Sequence, residues 1–216
     1  MYLGIYGASG LGREFYDIAI RRNAISFLWE DIFFIDDDKE KIIINGVKCF
    51  QLEQLIDSGR EFECIIGVGE PTTRKKIMTK LNSFGVNLAT LIDPTAIISS
   101  SAKISPGCII CEYTTIHCNV EIGNNCLIQP SCVIGHDIKI GNHTVLSTFC
   151  APGGQSSFGD CVYAGMHSSI KELITVGDGA IIGMGAAVFR DVPADSTVVG
   201  NPARITLGNA ERKLFK

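Results

Sequence analysis

The stretch VEIGNNCLIQPSCVIGHDIKIGNHTVL (residues 120–146) carries a large aliphatic residue at every sixth position: Ile122, Ile128, Ile134, Ile140 and Leu146. The count extends back through Ile116, Ile110, Ile104 and Ile98, and forward through Pro152, Phe158, Ala164, Ile170, Val176, Ile182 and Val188. Fourteen of these sixteen positions are Ile, Leu, Val or Phe, so the phase holds with no insertion. Two residues before each lies a mostly small residue, among them Cys108, Thr114, Cys126, Cys132, Thr144 and Cys150. Glycine follows the large residue eight times, as at Gly123, Gly135, Gly141 and Gly153. A helix repeats every 3.6 residues and cannot keep step with six. A solenoid of short parallel strands can. The large residue then fills the interior, the small one fits near a corner, and glycine is expected to supply backbone freedom at the turn.

Residues 1–93 follow a different rule. Apolar runs at 2–7, within 31–38, at 63–69 and at 87–93 read as strands. Between them, 11–23, 51–59 and 71–85 have helical spacing, the last with Pro71 at its start and Gly85 past its end. Strands alternating with helices imply a small parallel α/β sheet. The expected organisation is thus an α/β Rossmann-like part over 1–93, a β-helix of hexapeptide repeats over 94–205, and a C-terminal tail over 206–216.

Composition narrows the function. The chain has 216 residues, 46% of them hydrophobic, and a formal net charge of −4 with no block of like charges. That disfavours a broad nucleic-acid footprint. No run of about 18 apolar residues is present to span a membrane. The start MYLGIYGASG lacks a basic segment followed by a long apolar run, so a cytoplasmic location and reduced thiols are expected. Nine cysteines are present, and the small-residue slot takes Cys108, Cys126, Cys132 and Cys150. The CIIC pair (Cys108, Cys111) has no second pair beside it, which favours packing over a metal or redox role.

Two constellations carry possible chemistry. Gly7, Ser9, Gly10 and Gly12 lie between the first strand and the first helix, where backbone N–H groups attract phosphate. Their spacing is G-x-x-G-x-G, neither the dinucleotide fingerprint nor a P-loop, and a tight turn is the competing reading. Asp36 and Asp37 end the second strand, and Gly67 and Gly69 close the third, all on one expected sheet edge. This convergence points to a nucleotide-type ligand. The second constellation is His136–Asp137, placed by the period at a corner and pointing out of the core. A neutral imidazole there can accept a proton, and the carboxylate can set its tautomer. A solvated corner is the alternative.

The combination of YGASGLGRE, FIDDD, hexads containing GHD, and VVGNPAR resembles the sugar O-/N-acetyltransferase family of hexapeptide-repeat acyltransferases. That family includes bacterial sialic acid O-acetyltransferases and N-acetyltransferases of nucleotide-linked 4-amino-4,6-dideoxysugars. The resemblance implies a left-handed β-helix with three hexads per coil, a homotrimer, and acetyl-CoA as co-substrate without a metal. It implies a nucleotide-linked sugar on the N-terminal part, held by Gly7, Ser9, Gly10, Gly12, Asp36, Asp37, Gly67 and Gly69. It implies His136 as general base, Asp137 as its orienting group, and the Gly154 amide on the thioester oxygen. Gly200, Pro202, Ala203 and Arg204 would lie near the CoA phosphates. Aminosugar members carry a second histidine nine residues after the base. Here that position is Val145, and His143, in another phase, is the nearby candidate for an acetyl-CoA contact. An O-acetyltransferase on sialic acid or another sugar, and a non-catalytic trimeric sugar-nucleotide-binding scaffold, are the competing functions.

Overall fold

The computed structural model describes residues 1–208. The N-terminal part contains β1 (Tyr2–Tyr6), α1 (Gly10–Ile25), β2 (Ile32–Ile35), β3 (Ile43–Ile44), β4 (Val47–Phe50), α2 (Leu52–Asp57), β5 (Phe62–Ile66) and α3 (Pro71–Ser83). The sheet order is β3-β4-β2-β1-β5. Strands β4, β2, β1 and β5 run parallel. β1 and β2 are apolar along nearly their whole length because the sheet is covered on both faces. α1 turns Gly12, Phe15, Ile18 and Ala19 inward, at helical spacing. The chain leaves β1 toward β2 on one side and returns to β5 on the other. The strand order therefore reverses at β1, where a crevice opens beyond the strand ends.

One hairpin was not expected in this part, and one expected strand is corrected. The hairpin β3–β4 went unread, although Asn45-Gly46 is the two-residue turn signal, with φ of 49° and 81°. The stretch 87–93 is not one strand of the α/β sheet. Leu88 makes a single bridge to Cys64, and Leu91–Ile92 already pairs with Ile109–Ile110 of the solenoid.

From Leu91–Ile92 to Ala187–Val188, two-residue strands recur every six residues and pair with strands 18 residues on, as Leu127 with Val145. They stack into three faces of a left-handed parallel β-helix. The first face holds the strands at 91, 109, 127, 145, 163 and 181. The second holds those at 97, 115, 133, 151, 169 and 187, and the third those at 103, 121, 139, 157 and 175. The sixth-position residues form one continuous core, with Ile110, Ile128, Ile134 and Leu146 fully buried. Pro152 has no N–H, and the ladder of the second face is interrupted where its strand meets Val133–Ile134.

The small slot does more than save space. Its thiols and hydroxyls donate to corner carbonyls 15 residues later: Cys108 to Gly123 at 3.0 Å, Cys126 to Gly141 at 2.9 Å, Thr144 to Gly159 at 2.8 Å. Cys108 faces this core whereas Cys111 faces the other, between the two parts of the chain, so the CIIC residues do not form a pair.

The role expected for the repeat glycines is also corrected. Gly135 is not among the residues with positive φ. A Cβ on it would stand 2.7 Å from the Gly154 nitrogen, so glycine is required by the close approach of the next coil. The left-handed backbone falls two residues later and is mostly not glycine: Asn119, Asn125, Ser131, Asp137, His143, Phe149. Each such residue costs roughly 1–2 kcal/mol, least for Asn and Asp.

The first face of the β-helix is the one that packs on the α/β part. Ile109, Leu127 and Val145 join Leu3, Ile5, Ala8, Phe15 and Leu91 in a shared core. Arg74 of α3 locks the junction. It is fully buried and donates to the carbonyl oxygens of Ile66 (2.7 Å), Val68 (2.9 Å) and Asn125 (3.0 Å), and to Asn125 Oδ1 (2.7 Å). Burial pulls its pKa down to about 10, which leaves it cationic at neutral pH. Four oxygens in place of a carboxylate compensate the charge.

Candidate active site

His136 lies at the corner between the second and third faces, after Val133–Ile134 and before Lys139–Ile140. Its side chain is 56% exposed. Asp137, in the left-handed region at φ 58°, turns its carboxylate back onto the ring, with Nδ1 2.7 Å from Oδ2. An ionised carboxylate only accepts, so Nδ1 carries the proton and Nε2 is left with a lone pair. Asn119, one coil earlier, donates to the other carboxylate oxygen at 2.9 Å. The hydrogen bonds from Asn119 and then His136 hold the Asp137 carboxyl below the ordinary carboxylate range. Asn119 escaped the sequence reading; its signal was its register, 18 residues before Asp137.

Gly154 sits one coil on, directly against the imidazole. A Cβ there would stand 2.7 Å from His136 Nε2 and 2.8 Å from Cε1, so any side chain at this position displaces the imidazole. The flanking amides donate to the adjacent coils, Gly153 to the Ile170 carbonyl of the next and Gln155 to the His136 carbonyl of the one before. The Gly154 N–H has no acceptor among the described residues. A lone-pair nitrogen and an unspent amide donor thus share one exposed edge.

The same edge continues through Glu172 to Arg190, in step with His136 at 18-residue intervals. Three coils at a strand spacing of about 4.8 Å put Arg190 roughly 14 Å from His136 along the axis. Arg190, Pro202, Ala203 and Arg204 line a cleft of about 380 Å³. Gly200 precedes it and accepts from the Ala187 N–H. VVGNPAR forms the end of the strand Ser196–Val199 and the start of Arg204–Gly208, an antiparallel pair added to the first face. Arg190 too was legible only through its register. The tail expected over 206–216 begins inside this strand, and residues 209–216 lie outside the described residues.

His143 is elsewhere. It occupies the corner between the third and first faces, where its Nδ1 is 3.0 Å from Asn125 Nδ2. Asn125 is also the partner of Arg74, so His143 belongs to the junction lock. Burial, then the charge of Lys75, pushes its pKa down.

In the α/β part, the glycines divide by function. Gly7, at φ 105°, donates to Ile35 at 2.7 Å. A Cβ on Gly12 would overlap the Gly7 carbonyl oxygen, and one on Gly67 would stand 2.9 Å from Gly12 Cα, so these glycines let three backbones meet. Gly10 has open space around it, and Gly69 meets only Leu11. Ser9 caps α1 by position but makes no side-chain cap bond. Asp36 accepts from the Ala8 N–H at 2.9 Å, the Asp38 N–H and Lys41 Nζ. Asp37 accepts from the Tyr6 hydroxyl at 2.7 Å and Lys80 Nζ at 3.0 Å. Both carboxylates therefore already shape the loop. Within one chain, the glycine loop lies over the first face and His136 on the opposite edge.

Among the described residues, no group of three or more His, Cys, Asp or Glu is gathered as for a metal, and no helix is long and apolar enough to cross a membrane.

Residues 2–81 match the family model described as PglD N-terminal domain. Residues 119–150 match the bacterial transferase hexapeptide model. WeeI from Acinetobacter baumannii AYE is 30% identical over 95% of this chain and all of its own, with a TM-score of 0.89. The acetyltransferase domain of PglB from Neisseria gonorrhoeae, solved with acetyl coenzyme A, is 25% identical over 95% of this chain and 98% of its own, with a TM-score of 0.88. PerB from Caulobacter crescentus, solved with CoA and GDP-perosamine, shares the fold at 22% identity and a TM-score of 0.88, over 95% of this chain and 97% of its own. Among curated acetyltransferases, the matching stretch spans about a quarter of the relatives' length. The chain belongs to the sugar O-/N-acetyltransferase family of hexapeptide-repeat acyltransferases.

Proposed function

We propose that the protein transfers an acetyl group from acetyl-CoA to the amine of a nucleotide-linked 4-amino-4,6-dideoxysugar, for a bacterial surface glycan. The observation that carries this is the edge where His136, oriented by Asp137, faces the unspent Gly154 amide. His136 Nε2 takes a proton from the amine as its nitrogen attacks the thioester carbonyl carbon. The carbonyl oxygen gains the negative charge and accepts from the Gly154 N–H. Collapse breaks the carbon–sulfur bond, and the CoA thiolate recovers the proton from the imidazolium. The products are the N-acetylated sugar and free CoA, with no covalent enzyme intermediate. Asp137 steadies the imidazolium while it exists.

CoA lies along the edge, its phosphates toward Arg190 and Arg204 near the cleft of the last coil. The nucleotide-linked sugar lies on residues 1–93, along Gly7–Gly12 and the crevice beyond β1 and β5. Because that crevice and His136 are on opposite sides of one chain, the base comes from a neighbouring copy in a homotrimer. A protein of the same fold holding CoA and GDP-perosamine together supports the pair of substrates, since the fold accommodates both.

The test is a CoA-release assay over UDP-, dTDP- and GDP-linked 4-aminosugars and free sialic acid. At least one nucleotide-linked aminosugar is acetylated. His136→Ala lowers that rate ~100- to 10,000-fold with the oligomer intact by light scattering. Transfer to sialic acid alone, or full activity in His136→Ala, overturns the proposal.

A further inference from the structure

A cleft of about 280 Å³ lies between the glycine loop and the first face of the β-helix. Leu11 and Gly69 line it from the α/β side, and Gln129, Val145, Ser147 and Tyr163 from the solenoid. Leu11 stands between Gly10 and Gly12, so the cleft opens where the glycine loop ends. Its volume falls just short of the ~300–1,000 Å³ of pockets that enclose a whole drug-sized ligand. It suits one portion of a larger ligand, such as the sugar ring of a nucleotide sugar.

The orientation of Gln129 in this cleft is determined. Ser147 Oγ donates to Gln129 Oε1 at 2.7 Å, and the Thr148 N–H points to the same atom at 3.3 Å. A backbone N–H can only donate, so the carboxamide atom facing it is oxygen. Ser147 is 3% exposed, and its oxygen lies 3.1 Å from the Tyr163 hydroxyl, which completes the chain Tyr163–Ser147–Gln129. The carboxamide oxygen is thus occupied from behind. Its NH2 group has no acceptor among the described residues. Val145, where related aminosugar enzymes carry histidine, offers no polar atom, and Leu11 faces the cleft with hydrocarbon.

We infer that the Gln129 carboxamide is a specificity-determining donor that reads a ring hydroxyl of the sugar, with Ser147 and Tyr163 as the residues that hold its orientation. The inference rests on the proposed nucleotide-linked sugar substrate and adds which side chain discriminates among such sugars. A donor fixed before the ligand arrives rejects an analogue lacking the matching oxygen, because the ligand then covers the half-buried carboxamide and leaves its N–H unpaired.

The experiment measures kcat/KM for the best nucleotide-linked 4-aminosugar and for its analogues lacking one ring hydroxyl each. The wild type disfavours one analogue by ~100-fold or more. Gln129→Leu lowers kcat/KM on the parent sugar by a similar factor and leaves that analogue within ~3-fold, so discrimination collapses. Ser147→Ala, which keeps the carboxamide and frees its rotation, gives a partial collapse. A misfolded variant lowers both substrates together and cannot produce this pattern. Unchanged discrimination in Gln129→Leu, or equal losses on parent and analogue, overturns the inference while leaving the proposed function standing. A wild type that acetylates no nucleotide-linked sugar overturns both.

Discussion

The β-helix and the α/β part solve the same problem, close approach of backbones, in opposite ways. The β-helix repeats one solution. Gly135 against the Gly154 nitrogen is one instance of a contact that recurs coil after coil, so a residue's position modulo 18 says which edge it occupies. The α/β part uses a single solution once. Gly7, Gly12 and Gly67 meet at one point, and no period announces it. In the periodic half, the corner between the second and third faces is free of packing against the α/β part and can be given to chemistry, as His136 is. In the aperiodic half the candidate ligand carboxylates are already engaged, Asp36 by Ala8 and Lys41, Asp37 by Tyr6 and Lys80.

The largest test of this contrast is at the junction. Arg74→Met leaves four oxygens on Ile66, Val68 and Asn125 without their donor in a buried setting. A loss of ~1–3 kcal/mol for each oxygen that finds no other donor follows, read as the shift in denaturant midpoint. The α/β part then melts before the solenoid, seen as separation of the Trp29 fluorescence transition from the far-ultraviolet dichroism transition. A single coincident transition would show that the two regions are not the distinct units described. Next in size is Gly154→Ala. Its Cβ pushes on the imidazole and disturbs the amide donor, so acetyl transfer falls ~100-fold or more. The hairpin-turn glycine Gly46, in the α/β part, has open space and a positive φ; Gly46→Ala leaves activity unchanged, which separates the edge from the rest of the fold.

The smallest effect is a pH dependence confined to the junction. Burial first, then Lys75 and Arg74, lower the folded pKa of His143 from 6.5, with Asp160 opposing. The unfolded chain therefore binds the proton more readily. The stability contributed is present above the unfolded pKa and is lost as pH falls through it toward the folded value. Denaturant midpoints at pH 7 and pH 5 differ more for the wild type than for His143→Gln. Equal differences would place His143 outside the lock.

Much of this was legible in the residues. The period-six series located the solenoid, its inward residues and the outward corner of His136, because a repeat with no insertion gives every residue a fixed orientation. The same arithmetic held Asn119, Gly154 and Arg190 on one edge, though only Gly154 was picked out. The turn at Asn45-Gly46 was legible and was passed over. The reason for the repeat glycines was misread, since close approach between coils is a tertiary distance and leaves no mark distinct from a turn. His143 shows the same limit: it was the nearby candidate for an acetyl-CoA contact, in another phase from the family's second histidine, and Arg74, 69 residues away in sequence, decides what it touches.

By itself, then, the amino-acid order determined the two-part architecture, the interior of the solenoid and the direction in which His136 and Asp137 point. These follow from periodicity, which is a local property of the chain. Only the tertiary structure decided that the α/β part covers the first face, that Asn119 holds Asp137, that Arg74 fastens the junction, and that Gln129 faces a cleft at the end of the glycine loop. Each of these depends on which distant backbone comes within hydrogen-bonding distance. That depends on how the two parts pack against one another rather than on the local pattern of either.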